Sequence, residues 1–445
     1  MALTGLEIFK QLPRTNCKDC GYPTCLAFAM ALATGKVGLD LCPHISDTAR
    51  DVLDSASAPP IALVKIGAGE KQVVLGNETV LFRHDKRFEN ACAIAVPVSD
   101  ALSADEIKDR VGAINRLVFD RVGQTHSVNM VLVDFCSGSP ERFAEAAKIV
   151  AGNTEYPLIL KSEDPLPLEK ALAVVAANKP LLWGANASNY EAMAGLAQKF
   201  ETPLVVQGTG LDELAATVEK VTAKGYKQLL IDSGAREISQ VLADQTQIRR
   251  LALKKRRSFG YPTIVDVTID DPVQAVLEAA VYISKYAGIV VINSVDPADM
   301  LPLITLRLNI YTDPQRPIAV ESKVYEVLTP GPDSPVFITT NFSLTYFCVA
   351  GDVEASKTPA YILPVDTDGV SVLTGWAADK FTPEKIADML NNSGIADMVS
   401  HRKVIIPGGV AVLGGRLQEV SGWEVLVGPY ESSGIPAFIK KHWGS

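Results

Sequence analysis

Apolar and polar positions along this chain repeat with two alternating periods. Short apolar runs at residues 92–96, 130–135, 158–160, 181–183, 204–206, 229–231, 263–267 and 289–292 read as strands covered on both faces. Between them the apolar positions recur at helical spacing, as over 104–120, 142–151 and 211–224. Eight parallel-type strands with interposed helices predict an α/β fold built on a (β/α)8 TIM barrel. A doubly wound open sheet is the alternative arrangement of the same elements. Two shorter runs, 61–66 and 72–75, precede the barrel and are joined through Gly67, Ala68 and Gly69.

The barrel pattern stops near Ile310, and residues 311–317, with Pro314 and Pro317, form a turn-rich break. A second alternation follows, with strands at 336–340, 360–363, 370–373, 403–406 and 424–426. Helices are expected at 344–355, 383–391, 410–417 and 435–441. Short strands alternating with helices predict a small Rossmann-like sheet. At the other end, 3–12 and 26–34 can form short helices, but the segment has too few apolar residues for a core of its own. Residues 55–60, small and ending in Pro59 and Pro60, read as a linker, or else as a surface loop. The expected domains are therefore 1–57, 58–316 and 317–445.

Composition narrows the class. A chain of 445 residues exceeds one ordinary core, and 47% apolar with 21% charged residues indicates well-packed globular domains. The net charge of -9 argues against a nucleic-acid partner. No apolar run is long enough for a membrane span, and residues 1–10 lack a basic-then-apolar leader pattern. Cys92, Cys136 and Cys348 stand alone in apolar runs and read as buried core thiols, which fits a reducing cytoplasm. The basic run from Arg249 and Arg250 to Arg256 and Arg257 reads as the C-terminal charge of a long helix. A docking patch for an acidic partner is the other reading.

Four of the seven cysteines lie early, Cys17, Cys20, Cys25 and Cys42, spaced C-x2-C-x4-C-x16-C. Four thiolates suit a structural zinc or an iron–sulfur cluster. Three cysteines crowded together with a distant fourth, and Gly21 and Pro23 bending the loop, favour [4Fe–4S]. The loops after the barrel strands offer Asp134, Asn186, Gln207, Asp232, Asp266 and Asn293, with no His and no paired-carboxylate motif. The barrel therefore reads as a binding scaffold. The loops of the second sheet are rich in Gly, Ser and Thr: Thr339 to Ser343, Asp366 to Leu373, Pro407 to Gly409 and Gly428 to Gly434. They could line a large, mostly neutral ligand, or serve only as tight turns. No G-x-G-x-x-G or G-x-x-x-x-G-K-[ST] supports a dinucleotide or a nucleoside triphosphate.

The cysteine motif with Gly21, Tyr22 and Pro23, the eight-fold block and the C-terminal unit, in that order, resemble one family. It is the large (gamma) subunit of the corrinoid iron–sulfur protein of the acetyl-CoA (Wood–Ljungdahl) pathway, and the likeness covers essentially the whole chain. The resemblance implies a methyl carrier for anaerobic carbon fixation. Cobamide-bound Co(I) in the C-terminal domain would accept a methyl group from methyltetrahydrofolate through a methyltransferase and deliver it to acetyl-CoA synthase/CO dehydrogenase. A [4Fe–4S] cluster on Cys17, Cys20, Cys25 and Cys42, fed by a low-potential electron donor, would return stray Co(II) to use. A smaller, barrel-shaped subunit would complete a heterodimer.

The B12-binding signature D-x-H-x-x-G is absent, because no Asp stands two residues before His44, His84, His126, His401 or His442. The resemblance accordingly implies base-off binding with no protein His on cobalt. Ser371, Val372 and Leu373 resemble the S-x-L part of the usual signature, and Gly408 and Gly409 its G-G part. Ser371 would hydrogen-bond near the nucleotide tail, and the glycines would let the tail approach the backbone. Thr340 and Tyr346 are expected corrin contacts, with Gly369, Val370 and Gly434 in the same loops. The chemistry would then lie on cobalt with no catalytic side chain, so the chain is a carrier subunit, of methyltransferase class if counted as an enzyme. Two other readings use the same residues. One is a barrel methyltransferase binding a pterin on Asn186, Asp232 and Asp266 with a structural cluster. The other is an electron-transfer or structural subunit with no organic cofactor.

Overall fold

The computed structural model describes residues 5–33, 37–46, 49, 53, 59–121, 124–267, 269–313, 315 and 317–443. Most of the expected linker at 55–60, and Pro314 and Arg316 in the expected break at 311–317, lie outside the described residues. The chain forms two compact units. One comprises Met1–Leu81, Glu89–Ile114 and Asn129–Val295, and the other Phe82–Phe88, Asn115–Val128 and Asp296–Ser445.

In the first unit, eight parallel strands close a barrel: Ala93–Ser99, Met130–Asp134, Leu158–Lys161, Leu181–Ala185, Leu204–Gln207, Leu229–Asp232, Thr263–Val267 and Ala287–Ile292. Closure rules out the open sheet. Inside it, alternate residues of the strands make one core, including Ala93, Ala95, Met130, Leu132, Leu181, Trp183 and Val205. The strand period of two puts every second side chain there. The helices begin where a capping side chain precedes a proline. Ser139 accepts from the N–H of Arg142, Asp164 from that of Leu166 and Asp271 from that of Gln274, each followed by Pro at the first helical position.

The hairpin of Val64–Ile66 and Val73–Leu75 closes one end of the barrel. Its Val64, Ile66, Val73 and Leu75 join the barrel core. The N–H of Gly67 donates to the Lys179 carbonyl at 2.9 Å, and that of Ala62 to the Gly260 carbonyl at 2.9 Å. Both acceptors lie just before strands, so the plug sits at the amino-terminal end and leaves the opposite mouth to the strand-to-helix loops. Gly76, at φ 89°, is required here, since a Cβ would lie 1.9 Å from the Ala62 carbonyl oxygen.

The second unit holds a five-stranded sheet in the order Tyr325–Val327, Ala360–Val365, Val336–Thr340, Lys403–Ile406, Glu424–Val427. The first strand is antiparallel to its neighbour and the other four are parallel. Apolar layers cover both faces, one around Ile338, Leu363, Phe381 and Ile406, the other around Phe337, Val353, Ile362 and Ile405. The expected strand at 370–373 is not one. Asp368 and Gly369 take positive φ, 58° and 73°, which turns the chain out of the sheet, and Ser371 precedes a short helix, Val372–Ala377. The helix expected over 104–120 ends earlier, as Ala104–Asn115, and Val118–Arg121 pairs with Gln124–Ser127 in a hairpin.

Candidate functional site

The cysteine segment is built from helices Gly5–Gln11 and Cys25–Ala33 and a short turn at Leu39–Leu41. Its core of Ile8, Leu12, Phe28, Ala29 and Leu53 also takes in Cys25 and Cys42. Cys20 is half-buried and Cys17 exposed, so the four thiols run from core to surface. Arg14, Asn16, Lys18 and Gly21 all have positive φ, from 49° to 79°. Such alternating backbone turns N–H groups to a common side, an arrangement that favours anions. Asn16 fixes the loop by accepting from the N–H of Cys25 at 2.8 Å. Asp19 and His44 join the two cysteine loops at 2.5 Å, beside Cys17. The His44 hydrogen bond, helped by the Cys17 thiol, holds the Asp19 carboxyl below its ordinary range. Four free thiols on two loops, two of them sheltered by apolar side chains, are a donor set that fits an iron–sulfur cluster.

The second site is a cavity of about 450 Å³ at the carboxyl ends of Val336–Thr340 and Lys403–Ile406. The chain leaves the first of these strands toward Ala360–Val365 on one side and reaches the second on the other side. This is the point where strand order reverses, and where open α/β sheets bind ligands. Ser371, Val372, Leu373 and Gly409 line the cavity. Gly408 and Gly434 do not line it; they pack against Gly428 and Pro429, which do. A Cβ on Gly408 would lie 2.7 Å from the Gly428 carbonyl oxygen, and one on Gly434 would lie 2.8 Å from Pro429. Gly369 and Val370 do not line it; they shape the loop that delivers Ser371.

That loop is held by Asn341. Its Oδ1 accepts from the N–H of Thr367 at 3.0 Å and the N–H of Gly369 at 3.0 Å, and its Nδ2 donates to Asp366 at 2.9 Å. Thr340 and Tyr346 are not in the lining either. Thr340 is fully buried at the strand end. Tyr346 packs in the apolar layer against Tyr325, with centroids 4.6 Å apart, and burial pushes its hydroxyl up to about 12.

The lining face of helix Ser343–Ala355 is instead Leu344, Thr345, Cys348 and Val349. Sequence reasoning missed it, although the helical spacing of those four was the available signal. Cys348 is thus an exposed cavity residue and not a core thiol. Cys136, just past the strand end at Asp134, is exposed as well, and Cys92 alone of the three is buried. Two features suit this cavity to a large amphipathic ligand. The hydroxyl of Thr339, a lining residue 1% exposed, has no partner among the described residues, and neither have those of Thr340 and Ser343, which lie outside the lining. Each such group costs about 1–3 kcal/mol if left unmet. Around the mouth, Leu344 and Tyr430 are 64% and 69% exposed, an apolar surface that water does not favour. No His is among the lining residues.

The polar residues of the barrel loops divide in two. Asn186, Asp232 and Asn293 hold their own surroundings. Asn186 accepts from Ser188, Asp232 accepts from Arg236 at 2.8 Å, and Asn293 accepts from Arg110. Asp134 and Asp266 flank Lys161. The basic run is not one surface either. Arg249 is buried and paired with Glu78 at 3.4 Å, and Arg250 takes the last turn of Ile238–Leu253.

Comparison with known proteins agrees with this layout. The family model for the CO dehydrogenase/acetyl-CoA synthase delta subunit matches residues 63–439, and an Fe–S cluster model matches residues 12–44. The corrinoid/iron–sulfur protein large subunit of Moorella thermoacetica is 53% identical over 446 residues, covering 100% of both chains. The acetyl-CoA decarbonylase/synthase complex subunit gamma of Methanothermobacter thermautotrophicus is 34% identical over 455 residues, covering 99% of each. The gamma 1 subunit of Methanosarcina mazei is 34% identical, covering 98% of each. The chain therefore belongs to the CO dehydrogenase/acetyl-CoA synthase corrinoid iron–sulfur family, the one that its cysteine spacing and C-terminal loops resemble.

Proposed function

We propose that the chain is a methyl carrier that holds a cobamide in the C-terminal cavity and a [4Fe–4S] cluster on Cys17, Cys20, Cys25 and Cys42. The observation that carries this reading is the cavity at the strand-order reversal, with the unmet Thr339 hydroxyl in its lining and its apolar rim. When bound, a cobamide supplies a cobalt centre that takes up and releases a methyl group, and the cluster supplies single electrons at low potential.

The chain's own residues bind and orient. Thr339 and Ser371, both in the lining, would donate to polar atoms of the nucleotide tail. Gly409 would keep the wall open, and Leu344, Leu373 and Tyr430 would shed water against the macrocycle. On this reading the cobamide is bound base-off, with no protein His on cobalt. Cys25 and Cys42 would hold the cluster's sheltered side, and the exposure of Cys17 suits electron entry from a low-potential donor.

On this reading the domains are 1–57, 58–316 and 317–445. A small subunit completes a heterodimer, a methyltetrahydrofolate methyltransferase supplies the methyl group, and acetyl-CoA synthase receives it. The chain is a carrier and works in the cytoplasm; no helix among the described residues is long and apolar enough to cross a membrane. The experiment is a visible spectrum of protein purified without oxygen. Corrin bands that shift on reduction and on methylation are expected. A broad iron–sulfur shoulder alone would overturn the cobamide reading.

A further inference from the structure

The mouth of the barrel carries charge that the carrier reading does not use. Lys161, Asp134 and Asp266 end three barrel strands or stand within them at the carboxyl edge, where barrel enzymes place their ligands. Lys161 Nζ donates to Asp266 at 2.7 Å, while Asp134 is 3.9 Å away, beyond hydrogen-bond reach. The ammonium has N–H groups to spare, and beside it Asp134 is served by the Cys136 thiol, a weak donor, and not by a bonded cation. Burial, opposed by the Lys161 charge, holds the Asp134 carboxyl above its ordinary range. A half-desolvated carboxylate served by a weak thiol donor keeps acceptor capacity for a stronger one.

A second observation concerns the floor. Lys161 Nζ lies 5.0 Å from the ring centroid of Trp183, which is 0% exposed and belongs to the barrel core. The indole N–H has no partner among the described residues. Buried donors are almost always paired, so an unmet one under a polar mouth marks a place for an acceptor. The side chains above remain within reach of solvent, at 33% for Asp134 and 30% for Lys161. Asp232, by contrast, is saturated by Arg236 and by the N–H of Gly234.

We propose that the barrel mouth is a second binding site, for a planar heterocycle with a 2-amino-4-oxopyrimidine edge. That edge presents two adjacent N–H donors and then a carbonyl. Asp134 offers two acceptor oxygens and Lys161 a donor next to them, which is the complementary order. Pteridines and guanine-type purines share the edge. A simple anion would face Asp134 and Asp266, and a simple cation would face Lys161 and Arg236, so neither is matched. The inference is independent of the cobamide reading, which is followed by iron and corrinoid content.

The test is anaerobic calorimetry on the full-length protein with 6-hydroxymethylpterin and guanosine as probes. Lumazine, which has an oxo group in place of the 2-amino group, is the control. One probe or both should bind saturably at one site per chain, and lumazine at least tenfold more weakly. Saturation by the pterin alone assigns a pteridine, and by guanosine alone a purine. Asp134→Asn, which keeps the volume but turns one acceptor into a donor, should weaken binding at least tenfold with iron and corrinoid content unchanged. The lumazine arm needs no variant, so the proposal stays testable if that protein folds poorly. No saturable binding up to about 1 mM, equal binding of lumazine, or unchanged binding by Asp134→Asn would overturn it.

Discussion

Cys20 and Cys25 separate two roles that a loss of activity alone would merge. Replacing either with Ala removes a thiolate from the half-buried or buried part of the donor set. Iron content should collapse, and with it activation of oxidised protein by a low-potential reductant. Transfer from protein already methylated should persist, because the cavity lies in the other compact unit. Equal loss of both steps would give the cluster a structural part in transfer. Asn341 is the counterpart in the second unit. Asn341→Ala leaves the N–H groups of Thr367 and Gly369 without their acceptor. A loss of about 1–3 kcal/mol in a denaturant melt is expected, with a fall in bound corrinoid and unchanged iron. A melt identical to that of the parent would mean that the loop has another anchor.

At the scale of elements, the ion pair of Arg249 and Glu78 decides how the long helix Ile238–Leu253 is held. Both side chains are 6% exposed, and burial outweighs the Arg249 charge in raising the Glu78 carboxyl above its ordinary range. Arg249→Met should cost about 3–5 kcal/mol at neutral pH, because it strands Glu78. A raised carboxyl contributes stability below its unfolded value and loses it as pH rises through the folded value, so the deficit of the variant should shrink in mild acid. A deficit independent of pH would exclude this cause.

Sequence alone could not show that pair, since Glu78 lies in a loop far along the chain and the run around Arg249 looks uniformly basic. The same limit appears at Ser371. Its neighbours Val370 and Val372 read as strand, and only the Asn341 contacts show why the chain turns out of the sheet there. The helix expected over 344–355 matches Ser343–Ala355 to within a residue, but its periodicity does not say which face meets the cavity, and Thr345 and Cys348 lie there in place of the expected Tyr346. Where the signal was strong, the order of elements was legible. Eight apolar runs with helical interludes gave the closed barrel, whereas the cysteine segment, expected to lack a core of its own, has a small one around Ile8, Leu12, Phe28 and Leu53.

For the whole molecule, the central claim is that the C-terminal cavity, and not the barrel, holds the cobamide. Gly409 lines that cavity, and a Cβ there already approaches Leu373 Cδ2 at 3.2 Å. A phenyl ring at this position would occupy the volume meant for the cofactor without touching the cysteine segment. The most direct measurement is cobamide and iron per chain in anaerobically purified wild type and Gly409→Phe, read by visible spectrum and metal analysis, with a melt to confirm folding. The account predicts about one cobamide per chain in the wild type, and a loss of at least tenfold in the folded variant with iron unchanged. Corrin bands of undiminished strength in a folded Gly409→Phe protein would contradict it.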